Sequence, residues 1–380
     1  MATTKKPVKK KPVKSTGNPS ARKKAPASAK KKAKKKRSRI LLFILEIFVL
    51  LIMVVVLYSV LKIEKVGKVN LPEEEIVINP EVEQKEETVL KGYRNVALFG
   101  VDSTSGALTK NTRSDTIMIA SVNLDTGSCK LVSVYRDTYL NLSNDSYNKC
   151  NSAYAKGGPM QAINMLNMNM DMNITDFVTV GFAGLSDTID ALGGIMIDVD
   201  DAELQHLNNY QKTMAKDLKR DYTPVNSTGY QLLDGLQATA YCRIRYTAGD
   251  DFKRAERQRE VLMAIVDKAK SASPATLTAA VNAIFDNDEI YTSLDIAEIL
   301  ELVGDIGSYE ITGQGGFPEE SMRTTGTIGQ KGSCVVPLSL TDNVQWLHEF
   351  LFDDTGYTPS DAVQEYSEKI KADTSKYVSK

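Results

Sequence analysis

The sequence predicts an α/β/α layered domain with a central mixed sheet, held extracellularly behind one transmembrane helix. Three observations carry this. Residues 1–39 hold 17 of the 47 Lys and Arg and none of the 48 Asp and Glu, so the chain beyond them carries 30 basic against 48 acidic residues. Residues 40–61 are apolar except for Glu46, Ser59 and the interfacial-type Tyr58, and their length matches the ~20 residues that cross a bilayer core. Beyond residue 93, short apolar runs of strand character alternate with longer helical ones, the pattern of a sheet covered by helices.

Taken in order, residues 1–39 are Lys, Pro, Ala and Ser without a periodic apolar face and predict a disordered cytoplasmic tail. Such a lysine run could bind nucleic acid by counterion release. Directly before a span it serves better to set orientation and to meet anionic membrane lipid, so nucleic acid is the disfavoured partner. A cleaved signal peptide would have an apolar core of ~7–15 residues and a small-residue cleavage site; residues 40–61 fit an uncleaved signal anchor instead, with the N-terminus inside the cell membrane and the rest outside. Residues 62–92, rich in Glu and Val with Pro72 and Pro80, read as a stalk. The domain proper is expected over 93–272.

Within it, residues 95–101, 116–122 and 130–135 read as strands. Asp102 follows the first, Arg113 and Asp115 precede the second, and Arg136-Asp137-Thr138 follows the third, so polar residues gather at one sheet edge. Gly157-Gly158-Pro159 opens a helix to about Met170, 176–180 is a strand, and 183–192 is a helix stopped by Gly193-Gly194. Residues 195–199 add a strand and 201–228 a polar insertion. Ser273-Pro274 marks a break before a C-terminal extension over 273–353, ending in a helix at 341–352; 354–380 is expected as a mobile polar tail. The methionines between Met160 and Met172 suit a greasy groove for a lipid tail or, by default, the filling of a core.

The densest chemistry lies between Arg243 and Gln258. If 241–246 is extended, Arg243 and Arg245 share a face at the two-residue strand period, with Cys242 and Ile244 on the other. From Phe252 the pattern turns helical and makes Arg254, Arg257 and Gln258 neighbours. Guanidinium groups bind phosphate oxygens bidentately, so two convergent arginine pairs suit a pyrophosphate. Taken alone, the stretch also fits a solvated helix face paired with Glu256 and Glu260. Cys150 and Cys242 invite a disulfide in an exported domain, with four buried thiols, including Cys129 and Cys334, as the alternative. Two histidines, His206 and His348, and no Cys/His cluster leave no material for a zinc site or a His-based triad.

The ordered motifs resemble those of the LytR-CpsA-Psr family of cell-wall ligases, found mainly in Gram-positive bacteria. They are Asn95-Val-Ala-Leu-Phe-Gly100-Val-Asp102, Arg113-Ser-Asp115-Thr, Val134-Tyr-Arg136-Asp137-Thr138, Lys149-Cys-Asn151-Ser-Ala153-Tyr154-Ala-Lys-Gly157-Gly158-Pro159, Asp190-Ala-Leu-Gly193-Gly194, and Leu233-Asp-Gly235 through Gln258. The resemblance implies an enzyme that takes a glycopolymer such as a teichoic acid or capsular polysaccharide from a polyprenyl-pyrophosphate carrier. It would join that polymer through a phosphodiester to a peptidoglycan sugar hydroxyl. By motif, Asp102 and Asp115 would hold Mg²⁺ (or Mn²⁺). Arg113, Arg136, Arg243, Arg245, Arg254, Arg257 and Gln258 would surround the pyrophosphate, with Lys149 as a further site lysine, and the lipid would occupy a groove or tunnel between sheet and helices.

The chemistry agrees in kind, since attack on phosphorus needs its oxygens neutralised. The acceptor hydroxyl needs a base, for which Asp115 and Asp251 are candidates beside Arg136; Asp251 also fits a plain helix N-cap. Cys150 and Cys242 stand where the family more often has aliphatic residues, and Tyr135 where proline is common. Two alternatives are hydrolysis of the same lipid pyrophosphate and a non-catalytic envelope sensor, a transcriptional regulator acting through its basic tail.

Overall fold

The protein is described by a computed structural model over residues 67–68, 71–86, 90–102, 108–109, 111–286 and 290–378. The expected tail at 1–39 and span at 40–61 lie outside the described residues, among which no helix is long and apolar enough to cross a membrane.

The strands are buried from both sides, with runs of consecutive buried residues, and their successive side chains serve opposite faces of the sheet. Strand β1 (Gly67–Lys68) and helix α1 (Pro80–Glu86) precede β2 (Tyr93–Val101), β3 (Ser114–Asn123) and β4 (Ser128–Val134). In β2, Ala97, Phe99 and Val101 enter the main core, while Leu98 and Gly100 line a cavity on the other face. A hairpin of β5 (Tyr139–Asn141) and β6 (Tyr147–Lys149) leads into α2 (Asn151–Met170). This helix starts before the Gly-Gly-Pro motif, which bends it in mid-course. Gly158 sits at φ +67°, and a Cβ there would lie 2.4 Å from Thr109 O, so the bend demands glycine. Met165, Met170 and Met172 are fully buried in the main core, opposite the cavity, so the methionine-rich helix fills a core and lines no lipid groove.

On the cavity side, β7 (Asp176–Val180) feeds α3 (Phe182–Ala191), which Gly193 and Gly194 end at φ +81° and +84°. Then come β8 (Ile195–Val199), α4 (Asp201–Leu218), β9 (Gly229–Leu233), α5 (Gly235–Tyr241) and α6 (Asp250–Lys270). The first 18 residues of the expected polar insertion are thus a helix. Its start is written in a capping box, Asp200 with Glu203, and its buried side carries Leu207 and Met214. Asp190 accepts the Gly235 amide at 2.6 Å, and a Cβ on Gly235 would lie 1.9 Å from Ser186 O. That motif aspartate and glycine therefore dock α5 on α3.

Past α7 (Pro274–Asp286), β10 (Ile290–Thr292), α8 (Ile296–Gly304) and β11 (Glu310–Phe317) return to the sheet. Its order is β1-β10-β7-β2-β3-β4-β11. Strand β2 is parallel to β7 and antiparallel to β3, β3 is antiparallel to β4, and β4 is parallel to β11. The sheet is mixed, as expected. Hairpin β12 (Arg323–Thr327) with β13 (Ser333–Pro337) follows, then α9 (Leu340–Phe352) and α10 (Asp361–Thr374), which bury Leu347, Val363 and Ile370 in the main core with α2.

These packings differ from the expected boundaries. Buried Asp171 accepts Asn79 Nδ2 at 2.6 Å and the Ser360 amide at 2.7 Å, so part of the supposed stalk and the supposed tail are both built into the domain. The break at Ser273-Pro274 is a turn between helices, because β10 and β11 complete the sheet. Ile370→Ala should therefore cost ~2–5 kcal/mol, as for a buried aliphatic truncation; urea unfolding of native and variant protein measures it, and an unchanged midpoint would mean α10 contributes no packing.

Candidate active site

The parallel strands β2, β4, β7 and β11 all end at one edge of the sheet, where open α/β sheets bind ligands. Asp102 follows β2, Asp115 lies one residue into β3, and Arg136 follows β4. Helix α6 crosses this edge, docked by buried Arg259, which donates to Ser133 Oγ at 2.7 Å and Gln314 Oε1 at 3.1 Å.

Arg136 is the hub. It meets Asp115 at 2.6 Å and Asp251 at 3.1 Å, joining the sheet to the first turn of α6. Arg245 adds contacts of 3.5 Å to Asp115 and 3.4 Å to Asp251, and Arg243 lies 3.5 Å from Asp102. Arg254, 4% exposed, donates to Asp115 O at 3.3 Å and lies 3.5 Å from Asp251. Its buried Nε meets no acceptor among the described residues, which is costly unless a ligand supplies one. Burial, and then Arg136 beside it, push this guanidinium down to about 10, still charged at neutral pH. Burial alone would raise Asp251, but Arg254, Arg136 and Arg245 outweigh it and hold the carboxyl below its ordinary range.

Of these groups, Asp102, Asp115, Arg243, Arg245 and Arg254 stand at the mouth of an apolar cavity of about 320 Å³. Leu98, Met118, Val178 and Val180 form its floor on the sheet, and Phe182, Leu185, Leu262 and Ile265 its helical walls; Asp102, Asp115, Arg243, Arg245, Arg254 and Gln258 stand in the same lining. A second cavity of about 350 Å³ shares Asp115, Arg254 and Gln258 with the first and adds Arg136, Asp137 and Asp251.

The expected site residues divide accordingly. Residues 241–246 are not a strand: Arg243 N donates to Ala240 O and Ile244 N to Tyr241 O, a turn closing α5. Ile244 and Cys242 are nevertheless buried while Arg243 and Arg245 reach carboxylates. The turn reproduces the alternation that a strand would have given. Asp251 is not the N-cap, which is Gly249. Arg257 is buried and turned away from the mouth, donating to Glu203 at 2.7 Å, Ile244 O at 3.1 Å and Thr247 Oγ1 at 2.7 Å. It holds the loop that carries Arg245. Lys149 lies 3.3 Å from Asp137. Arg113 stands exposed at the entry to β3, beside Thr112, whose hydroxyl donates to Asp102 O at 3.3 Å. It lines neither cavity.

All four cysteines are free and buried, so Cys150 and Cys242 form no disulfide. Cys150 Sγ instead donates to Tyr135 O and Arg136 O at 3.2 Å, supporting the backbone under the hub. Phe182 and Tyr210, 4.3 and 5.5 Å from the Arg243 guanidinium, belong to the site and were missed; Tyr210 falls in the stretch taken for an insertion. Asp102 and Asp115 in one lining offer hard oxygen donors that fit a divalent ion keeping waters and phosphate oxygens as its other ligands.

The strand ends thus join an apolar cavity to a mouth of arginines and carboxylates, the layout of a mixed-sheet α/β protein with its site at the carboxyl ends of the strands. The chain belongs to the LytR_cpsA_psr family, whose sequence model matches residues 60–314. The polyisoprenyl-teichoic acid–peptidoglycan teichoic acid transferase TagU of Enterococcus faecalis is 33% identical over 204 residues, 53% of this chain and 62% of that protein. Biofilm regulatory protein A of Streptococcus mutans is 27% identical over 239 residues, 58% of this chain and 57% of its own length. The chain thus spans about six-tenths of these relatives. The fold is that of Bacillus subtilis TagT (YwtF) solved with bound octaprenyl pyrophosphate lipid, at TM-score 0.52 and 24% identity over 70% of this chain and 92% of that one.

Because the folded pKa of Asp251 lies below the unfolded value of about 3.9, its stabilisation is present above that pH and is lost as pH falls through the folded value. The difference in unfolding free energy between native protein and Asp251→Asn, open at pH 7, should close below about pH 4. Urea titrations across that range measure it; a pH-independent difference would show that the arginines do not hold this carboxylate.

Proposed function

We propose that this protein is a metal-dependent phosphotransferase that moves a glycopolymer from a polyprenyl-pyrophosphate carrier to a peptidoglycan sugar hydroxyl. In this reading residues 40–61 anchor it in the cell membrane with the N-terminus cytoplasmic and the domain extracellular. One observation carries the proposal: a single lining joins apolar walls to three arginines and two aspartates at the mouth where a pyrophosphate would sit. The names of the relatives and the lipid held by TagT support it.

The polyprenyl chain lies between Leu98, Met118, Leu185 and Ile265, excluding water. Arg243, Arg245, Arg254 and Gln258 hold the pyrophosphate oxygens, the unpartnered Arg254 Nε taking one of them. Asp102 and Asp115 would hold Mg²⁺ or Mn²⁺, which when bound neutralises phosphate charge. The acceptor oxygen forms a bond to the sugar-bearing phosphorus, the P–O bond to polyprenyl phosphate breaks, and that phosphate leaves with the electron pair. The hydroxyl proton passes to Asp115 or Asp251, both of which Arg136 orients. With water in place of the sugar the same site would be a hydrolase.

Full-length protein in nanodiscs, given a polyprenyl-pyrophosphoryl oligosaccharide and peptidoglycan oligomers with and without Mg²⁺, tests this. Metal-dependent coupling to the oligomer is expected, with kcat lowered ~10²-fold or more by Arg254→Met or Asp115→Asn through lost charge stabilisation. Release of free phosphorylated sugar alone would establish the hydrolase, and unaltered rates in both variants would exclude this site.

A further inference from the structure

The second cavity has an unassigned wall. Strand β11 ends beside β4, with Phe317 opposite Val134, and so delivers the β12–β13 hairpin to the edge that bears Asp115 and Arg136. The hairpin is pinned there: Val335 N donates to Asp137 O at 2.9 Å and Val335 bridges Thr138. Val335 packs with Tyr135, Ala255 and Phe252, and the Tyr135 and Phe252 rings meet edge-to-face at 4.6 Å. Thr325 and Ser333, both exposed, form the rim. This hairpin lies beyond residues 60–314, over which the family's sequence model matches.

We propose that this second cavity is the acceptor subsite, which receives a sugar of the peptidoglycan glycan strand, and that the hairpin contributed by this chain's C-terminal region sets which acceptor fits. The inference rests on the phosphotransferase reading and adds the place of its second substrate. Two cavities that share Asp115, Arg254 and Gln258 lie on either side of one partition. In phosphoryl transfer the attacking and leaving oxygens are roughly in line across phosphorus. With the leaving polyprenyl phosphate on the apolar side, the hydroxyl enters from the other.

The lining suits a sugar. Asp137, Asp250, Thr325 and Ser333 offer hydrogen-bonding groups for hydroxyls and an N-acetyl group, while Tyr135 and Phe252 offer apolar area for the C–H faces. The volume of about 350 Å³ falls in the ~300–1,000 Å³ range of small-ligand sites. Asp250 adopts φ +45°, left-handed backbone that aspartate takes more readily than most residues. The turn after Gly249 brings Asp250 and Asp251 into this lining.

The test uses the full chain in nanodiscs with Thr325→Trp and Ser333→Trp, exposed strand positions at which an indole would project into the cavity without touching the arginines. Binding of a peptidoglycan-derived glycan tetrasaccharide is measured by calorimetry, and binding of a fluorescent polyprenyl phosphate in parallel. The expected result is glycan affinity at least tenfold weaker in either variant with lipid affinity unchanged, and in transfer assays a raised KM for the acceptor alone. Glycan binding equal to native in both variants, or none by the native protein, overturns the proposal. Native glycan binding lost in the variants, without transfer to any hydroxyl acceptor, would leave the subsite standing and remove the transferase reading.

Discussion

Everything at the strand edge depends on the Arg136 guanidinium between Asp115 and Asp251. These carboxylates come from different layers, the sheet and a crossing helix, and one cation at 2.6 and 3.1 Å fastens them. Burial of such a pair is costly unless each partner is satisfied; here Arg245 and Arg254 complete the shell around both acids. The result is a preorganised field with more positive than negative charge at the mouth of the apolar cavity, with a buried donor on Arg254 left over for an incoming anion.

Support for that field comes from residues that never reach the cavity. Arg257 and Glu203, both nearly inaccessible, fix the loop bearing Arg245, and Tyr241 adds its hydroxyl to the same glutamate at 3.2 Å. Asp190 fixes α5 and thereby Arg243, and the Cys150 thiol holds the backbone beneath Arg136. Charged motif residues thus serve two purposes in this protein, some facing the ligand space and others setting the stage for them. Their residue types do not distinguish the two.

This is why the site was legible in part. Asp102, Asp115 and Arg136 follow or open strands that stand out in the chain as short apolar runs, so their convergence on one edge follows from strand order and direction. Arg257 has the same spacing on its helix as Arg254, and only the burial of Glu203 opposite it decides that it turns inward. The strand expected at 241–246 failed because a turn can alternate side chains as a strand does. Helix α4 was hidden because its buried positions include Gln211, whose Nε2 donates to Thr223 O, and Glu203, which pairs with Arg257, so no unbroken apolar stripe marks it. The domain ends were misplaced for a related reason: α10 is polar along most of its length and buries only a narrow seam through Val363 and Ile370.

Asn79 and Ser360 bind the same buried carboxylate, so the first and last parts of the described domain meet at a point. Segments 281 residues apart in sequence are thus clasped by one aspartate. Neither can detach from the core without leaving a buried carboxylate short of a hydrogen-bond donor, so loosening either segment unsettles the other.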